Sequence, residues 1–107
     1  MGLFGMFGGK GMDAYVDQAR KEGATLVDVR APGEYAGGHV EGAINIPLPQ
    51  IPTAQNALGG KDAKLFVYCL SGARSGRACS TLKKMGYTDV TNIGGINLYH
   101  GPVVKGV

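Results

Sequence analysis

Apolar positions along this chain fall into short blocks that follow two different periods. Four blocks are rich in aliphatic and β-branched residues and are bounded by glycine, proline or charged residues, which is typical of short strands. These predicted strands cover residues 25–29, 43–46, 65–68 and 89–93. Elsewhere, apolar residues recur every three or four positions, which predicts helices over residues 14–22 and 75–85. Shorter helical turns are expected over residues 33–36, 51–58 and 96–99.

Residues that begin and end helices support these boundaries. Asp13 is expected to N-cap the first helix, and Gly23 to end it. Gly86 is expected to end the helix of residues 75–85, whose apolar residues share one face. Because strands and helices alternate along the chain, the sequence predicts an α/β fold with a mostly parallel central sheet and helices on both faces.

Length and composition indicate one modest domain. The chain has 107 residues, of which 44% are hydrophobic and 18% are charged, as in ordinary globular proteins. Residues 1–11 are predicted to form a flexible, apolar, glycine-rich tail, and residues 12–107 the single folded domain. Alternatively, Leu3, Phe4 and Phe7 dock on a groove or a partner. No segment approaches the roughly 20 apolar residues of a membrane span, and no signal peptide is expected.

The charged residues are distributed unevenly. The net charge is only +3, and no basic run is interleaved with aromatic residues, so nucleic-acid binding is not expected. Between Ala63 and Thr88, however, the chain has no acidic residue. The basic residues of this segment are Lys64, Arg74, Arg77, Lys83 and Lys84. The positive charge is therefore concentrated around Cys69.

The two cysteines differ in their surroundings. Their spacing fits neither a disulfide framework nor a metal site, and His39 and His100 are far away in sequence, so no metal and no cofactor are expected. This cysteine usage predicts a reduced, cytoplasmic protein. Cys79 lies on the apolar face of its predicted helix, where packing in the core is favoured over a role as a resolving thiol.

Cys69 ends a predicted buried strand and is followed by a tight turn and a helix. Parallel α/β folds place their chemistry at the carboxyl ends of strands, where Asp28 and Arg30 are also expected. The N–H groups of the turn and the positive end of the helix favour a thiolate and bind anions. The predicted anion-binding residues are Leu70, Ser71, Gly72, Ala73, Arg74 and Ser75. Ser75 is expected to N-cap the helix and to direct its hydroxyl group at the sulfur.

Four segments together resemble a known family. They are residues 26–30 with 34–35, residues 38–47, residues 68–75 and residues 92–96. In this order they are similar to the single-domain rhodaneses, which are thiosulfate sulfurtransferase-like proteins. The resemblance implies a rhodanese-like domain with a mostly parallel five-stranded sheet, flanked by helices on both faces.

The resemblance also implies a reaction. Cys69 would take sulfane sulfur from thiosulfate or a related donor as a persulfide and pass it to cyanide or a thiol. The alternative is a persulfide carrier that hands sulfur to a partner protein. A phosphatase or arsenate reductase is disfavoured, because four residues rather than five separate Cys69 from Arg74. Arg74 either binds the substrate or braces the loop. The resemblance gives structural roles to a further set of residues, namely Asp28, Arg30, Glu34 and His39.

Overall fold

Four apolar blocks of the chain form a parallel sheet at the centre of the molecule. The computed structural model describes residues 11–107. The sheet comprises β1 (Thr25–Asp28), β3 (Ile44–Asn45), β4 (Lys64–Cys69) and β5 (Asp89–Gly95). Their order is β3-β1-β4-β5, and all neighbours are parallel. β4 therefore lies between β1 and β5 and is paired on both sides. Five of its six residues are buried, and it ends at Cys69.

Helices connect these strands. They are α1 (Met12–Glu22), α2 (Pro32–Gly37), α3 (Gln55–Leu58) and α4 (Ala73–Lys84). Two 3-10 segments, Leu48–Thr53 and Ile96–Leu98, complete the connections. None of the helices in residues 11–107 combines the length and the apolar character that a membrane crossing requires.

Side chains of the strands alternate between two buried clusters, one on each face of the sheet. On β4, Leu65, Val67 and Cys69 belong to the cluster that contains the apolar residues of α4. Phe66 and Tyr68 point the other way and join the cluster built on α1. This period of two is the geometry of an extended strand. It confirms the α/β fold with helices on both faces.

The expected five-stranded sheet is corrected to four strands. A separate antiparallel pair joins β2 (His39–Val40) to β6 (Val103–Val104) near the C-terminus. The N–H group of Val40 donates a hydrogen bond to the Tyr68 hydroxyl (3.1 Å), so β2 is joined to β4 through a side chain rather than a backbone ladder. This pair joins two segments that are far apart in the chain, and a local pattern does not record such a pairing, which is why the sequence did not reveal it.

The helices predicted over residues 14–22 and 51–58 also differ from the structure. Asp13 does not cap α1, which begins at Met12 after Gly11. The Asp13 carboxylate instead accepts hydrogen bonds from the backbone and ring nitrogens of His100 (2.8 and 3.0 Å). Residues 51–58 are not one helix: the 3-10 segment Leu48–Thr53 ends at Ala54, whose φ of −94° and ψ of 11° lie outside the helical region, and α3 begins only at Gln55.

The expected N-terminal tail, residues 1–11, lies outside the described residues apart from Gly11. The strand predictions over 25–29, 65–68 and 89–93 agree with β1, β4 and β5 to within two residues at each end. The helix predicted over 75–85 begins two residues earlier, at Ala73.

Candidate active site

Cys69 lies at the carboxyl end of β4, in the middle of the sheet. Its backbone pairs with Gly95 of β5, and on the other side the N–H group of Val29 donates to the carbonyl of Tyr68 (3.0 Å). Cys69 is 1% exposed. A thiol in this position has a fixed backbone and is open only to a small or extended ligand.

Hydrogen-bond donors surround the Cys69 sulfur. The N–H group of Gly72 lies 3.0 Å from Sγ, and the Ser75 hydroxyl lies 3.4 Å from it. Burial raises the pKa of the thiol, but donors from Ser75, Gly72 and Ser71 outweigh burial and place the pKa below its ordinary value. These donors therefore favour the thiolate, the form of cysteine that acts as a nucleophile.

Gly72 shapes the turn between Cys69 and α4. Its φ of 105° lies in a region that favours glycine, and it serves as the N-cap of the helix. Ser75 is therefore the third residue of α4 rather than its N-cap, because the Gly72 turn brings the chain into helical geometry earlier. Its hydroxyl nevertheless faces the sulfur, as expected. Of the other predicted anion-binding residues, Leu70, Ser71 and Ala73 are exposed.

Asn92 of β5 holds this turn from the adjacent strand. Its Nδ2 donates to the Gly72 carbonyl (3.1 Å), and its Oδ1 accepts from the Gly94 N–H (3.0 Å) and the Ser75 hydroxyl (2.8 Å). These three contacts fix the orientation of the amide. No local pattern predicts this role of Asn92, since its contacts depend on the register of β5 against β4. Its place two residues before the Gly94-Gly95 pair was the available signal.

The loop after Cys69 rests on the backbone of Gly95. A Cβ atom at Gly95 would overlap the Leu70 carbonyl and lie 2.5 Å from Cα of Ser71. The Leu70 carbonyl also accepts a hydrogen bond from the N–H of Asn97 (3.1 Å). The close approach of β5 therefore requires glycine at this position.

Arg74 is bound to Glu34 through two parallel hydrogen bonds. Its terminal nitrogens lie 2.7 and 3.0 Å from the two carboxylate oxygens, and both side chains are 35% exposed. Hydrogen bonding to Arg74 lowers the pKa of Glu34 to about 2. The ion pair joins the start of α4 to α2. Glu34 therefore neutralises part of the positive charge of Arg74, one of the predicted anion-binding residues.

A buried ion pair organises the neighbouring turn. Asp28, which is fully buried, accepts hydrogen bonds from Nε and Nη2 of Arg30, the shortest at 2.7 Å. Nη2 of Arg30 also donates to the Gly38 carbonyl (2.7 Å). His39 is buried and stacks on Tyr35 with ring centroids 3.6 Å apart. These contacts fix the segment that carries Glu34 in place.

Asp28 and Arg30 lie beside the carboxyl end of β4, as predicted for a parallel sheet. The Arg30 guanidinium lies 5.9 Å from the ring centroid of Tyr68, the residue before Cys69. Cys79, by contrast, is buried under α4, and burial raises its pKa to about 11. Within residues 11–107, His, Cys, Asp and Glu side chains form no cluster of three or more that would hold a metal ion.

The rhodanese-like domain model matches residues 12–101, which include the whole of this site. The chain belongs to the rhodanese-like domain family. The match begins with α1 and ends before β6.

Individual relatives agree with this membership. The chain is 44% identical over 81 residues to the thiosulfate sulfurtransferase PspE of Escherichia coli, covering 75% of this chain and 78% of PspE. It is 43% identical over 81 residues to the uncharacterized protein YqhL of Bacillus subtilis, covering 75% of this chain but 64% of YqhL. A solved structure described as rhodanese with anions from E. coli superposes with a TM-score of 0.73 at 43% identity, covering 78% and 99% of the two chains.

Proposed function

We propose that this rhodanese-like protein is a thiosulfate sulfurtransferase that works through a persulfide on Cys69. The observation that carries the proposal is the set of donors around Sγ, with the Gly72 N–H at 3.0 Å and the Ser75 hydroxyl at 3.4 Å. The same donors that stabilise a thiolate also stabilise a terminal persulfide anion. The name of the relative PspE supports sulfur transfer and thiosulfate as donor.

The reaction divides into two displacements. In the first, the Cys69 thiolate attacks the outer sulfur of thiosulfate; the sulfur–sulfur bond of thiosulfate breaks, and sulfite leaves with its electron pair. In the second, cyanide or a thiolate attacks the outer sulfur of the persulfide and releases the Cys69 thiolate. No external oxidant or reductant is required, since sulfane sulfur is only transferred. Such a covalent intermediate gives ping-pong kinetics.

The anion-binding part of the site is the backbone of residues 70–75. Its exposed members, Leu70, Ser71 and Ala73, contribute no charge, so thiosulfate is held by N–H groups, the start of α4 and the positive field of Arg74. Both cysteines are free, which suits the reducing cytoplasm that we propose as the setting. The carrier alternative uses the same persulfide and differs in its acceptor, which would be a protein.

Intact-mass spectrometry after incubation with thiosulfate tests the proposal. We expect a gain of one sulfur atom, roughly 32 Da, that cyanide removes with formation of thiocyanate. Cys69→Ser should show no gain. Cys79→Ser is the matched control: it should still take up sulfur, although a hydroxyl in the core should lower the free energy of unfolding by about 1–2 kcal/mol.

The outcomes separate the candidates. Sulfur uptake without turnover by cyanide or small thiols would favour the carrier over the enzyme. Uptake that survives Cys69→Ser, or hydrolysis of aryl phosphates that depends on Cys69, would refute the proposed chemistry.

A further inference from the structure

The side-chain amide of Asn92 lies between segments that meet at the Cys69 sulfur. Its Nδ2 donates to the Gly72 carbonyl, and its Oδ1 accepts from the Gly94 N–H of β5 and from the Ser75 hydroxyl of α4. A backbone N–H is always a donor and a carbonyl is always an acceptor. These two backbone groups therefore allow the amide only one of its two orientations, in which Oδ1 faces Ser75.

Oδ1 of Asn92 determines where the Ser75 hydroxyl lies. A serine side chain has several staggered positions available. The shortest contact of Oγ, at 2.8 Å, is the one with Oδ1, and it holds Oγ 3.4 Å from Sγ of Cys69. Without Oδ1, the nearest acceptor would be the Gly72 carbonyl at 3.1 Å, which belongs to the backbone at the start of the same helix.

The remaining contacts of the amide make Ser75 the main route from Asn92 to the sulfur. The Gly72 carbonyl also accepts from the N–H of Gly76 (3.0 Å), so it keeps a helical partner without Nδ2. Oδ1 keeps the Gly94 N–H when the Ser75 proton turns away, so the turn leaves Oδ1 with a donor. Ser75 can therefore exchange its acceptor at low cost.

We propose that Asn92 is a positioning residue for sulfur release, which acts on Sγ of Cys69 through the Ser75 hydroxyl. The inference rests on the proposed function and concerns its second displacement. The acceptor attacks the outer sulfur, the sulfur–sulfur bond of the persulfide breaks, and its electron pair stays on Sγ. The Ser75 proton then turns from Oδ1 to the new thiolate, because a hydrogen bond to a charged acceptor is the stronger one.

The two half-reactions respond differently to such a role. Stabilised charge on Sγ helps sulfur release at any pH, because Cys69 is the leaving group. It helps persulfide formation only while part of Cys69 is protonated, because a stabilised thiolate is more abundant but less nucleophilic. A loop that is merely loosened would instead slow both half-reactions at every pH.

Single-turnover mass spectrometry of Asn92→Ala measures both half-reactions. Asn92 is exposed, so its truncation opens no cavity in the core. With the concentration of cyanide ion held constant, we expect release from the preloaded persulfide to slow about tenfold at every pH, as for the loss of one hydrogen bond. Formation from thiosulfate should slow at neutral pH and return to within about twofold of wild type once Cys69 is fully ionised. Unchanged or faster release, or slowing of both half-reactions at every pH, would overturn the proposal.

A double variant tests the dependence on Ser75. Ser75→Ala should slow release as Asn92→Ala does, and the double variant should stay within about twofold of Ser75→Ala alone. Losses that multiply would show that Asn92 acts by another route and would also overturn the proposal. Asn56→Ala, the same truncation of an exposed asparagine in α3, is the matched control and should leave both rates unchanged.

Alkylation of Cys69 by iodoacetamide gives a readout that needs no sulfur donor. Its pH profile should move to higher pH in Asn92→Ala, because the thiolate loses a positioned donor. If the profile moves but thiosulfate leaves no persulfide, the proposed function fails, and Asn92 positions Ser75 in a site of other chemistry. If a persulfide forms and passes to cyanide while Asn92→Ala matches the wild type in profile and release, the sulfurtransferase stands and the role of Asn92 fails.

Discussion

The Ser75 hydroxyl has a single proton and four acceptors near it. They are Oδ1 of Asn92 at 2.8 Å, the Gly72 carbonyl at 3.1 Å, Sγ of Cys69 at 3.4 Å and the Gly94 carbonyl at 3.5 Å. The shortest contact is to Asn92, so we expect the proton to point there while Cys69 is a neutral thiol. When Cys69 carries charge, the stronger charge-assisted bond favours rotation of the proton to the sulfur. Ser75 thus responds to the ionisation of Cys69 within a rigid site.

Replacing this hydroxyl should make Cys69 harder to ionise. Ser75→Ala should raise the pKa of Cys69, since one hydrogen bond to the charged form is lost. The pH dependence of alkylation by iodoacetamide measures this directly. Ser80→Ala, an exposed serine later in α4, is the matched control and should leave the profile unchanged. An identical profile for Ser75→Ala would mean that the backbone N–H groups alone set the pKa.

Single residues were predictable where their role depends on nearby sequence. Cys69, Gly72 and Ser75 lie within seven consecutive residues, so a turn and a helix start were enough to bring them together. Asn92 and Glu34 come from other elements. Their contacts are fixed by strand register and by the path of α2, which no local pattern records.

At the scale of elements, the Arg74–Glu34 pair ties α2 to the first turn of α4. An exposed pair contributes about 0.5–1 kcal/mol, so its main effect is to position the loop rather than to stabilise the fold. Because the pKa of Glu34 is lowered to about 2, its contribution is complete above the ordinary glutamate value of 4.5 and is lost as pH falls towards 2.

A double-mutant cycle distinguishes bracing from substrate binding by Arg74. If Arg74 braces the loop, Arg74→Ala and Glu34→Gln should each raise KM for thiosulfate roughly two- to fivefold, and the double variant should be no worse than either. Steady-state kinetics at constant ionic strength measure this. A loss of tenfold or more in Arg74→Ala, together with tighter thiosulfate binding in Glu34→Gln, would instead show that Arg74 contacts the anion.

Elements with a clear local pattern were predictable, including the two-residue strand β3, and those that depend on distant pairing were not. The apolar residues of β4 and α4 recur with a clear period and pack in the same buried cluster, so the positions of these elements followed from the sequence. β2 and β6 span two residues each and are held by contacts with distant parts of the chain. The 3-10 segment Leu48–Thr53 depends on prolines that interrupt an otherwise helical pattern.

For the whole molecule, the C-terminal residues act as a strap across the N-terminal half. His100 pairs with Asp13 of α1, β6 pairs with β2, and the N–H of Gly106 donates to the Ala36 carbonyl of α2 (2.8 Å). The strap therefore reaches both α1 and the helix that carries Glu34. Its last part lies beyond residue 101, where the family match ends.

Removing residues 102–107 should expose the edge of β2 and loosen α2. We expect the free energy of unfolding to fall by about 1–3 kcal/mol, because several backbone hydrogen bonds are lost. Urea denaturation measures the change. His100→Ala breaks only an exposed pair with Asp13 and should cost less than about 1 kcal/mol. Equal midpoints for the truncated and full chains would show that the strap carries no stability.

The contact at Gly95 has a consequence for redesign. The Cys69 loop packs directly on the backbone of Gly95, which has no side chain. The path of β5 therefore determines the curvature of the loop. A library that varies only the residues between Cys69 and Arg74 would change the loop sequence but not the backbone of Gly95 on which the loop packs. A variant with any other residue at position 95 would lift the loop away before chemistry is tested. Converting this cradle to one that holds a larger oxyanion therefore has to begin with loop length while glycine at 95 is kept.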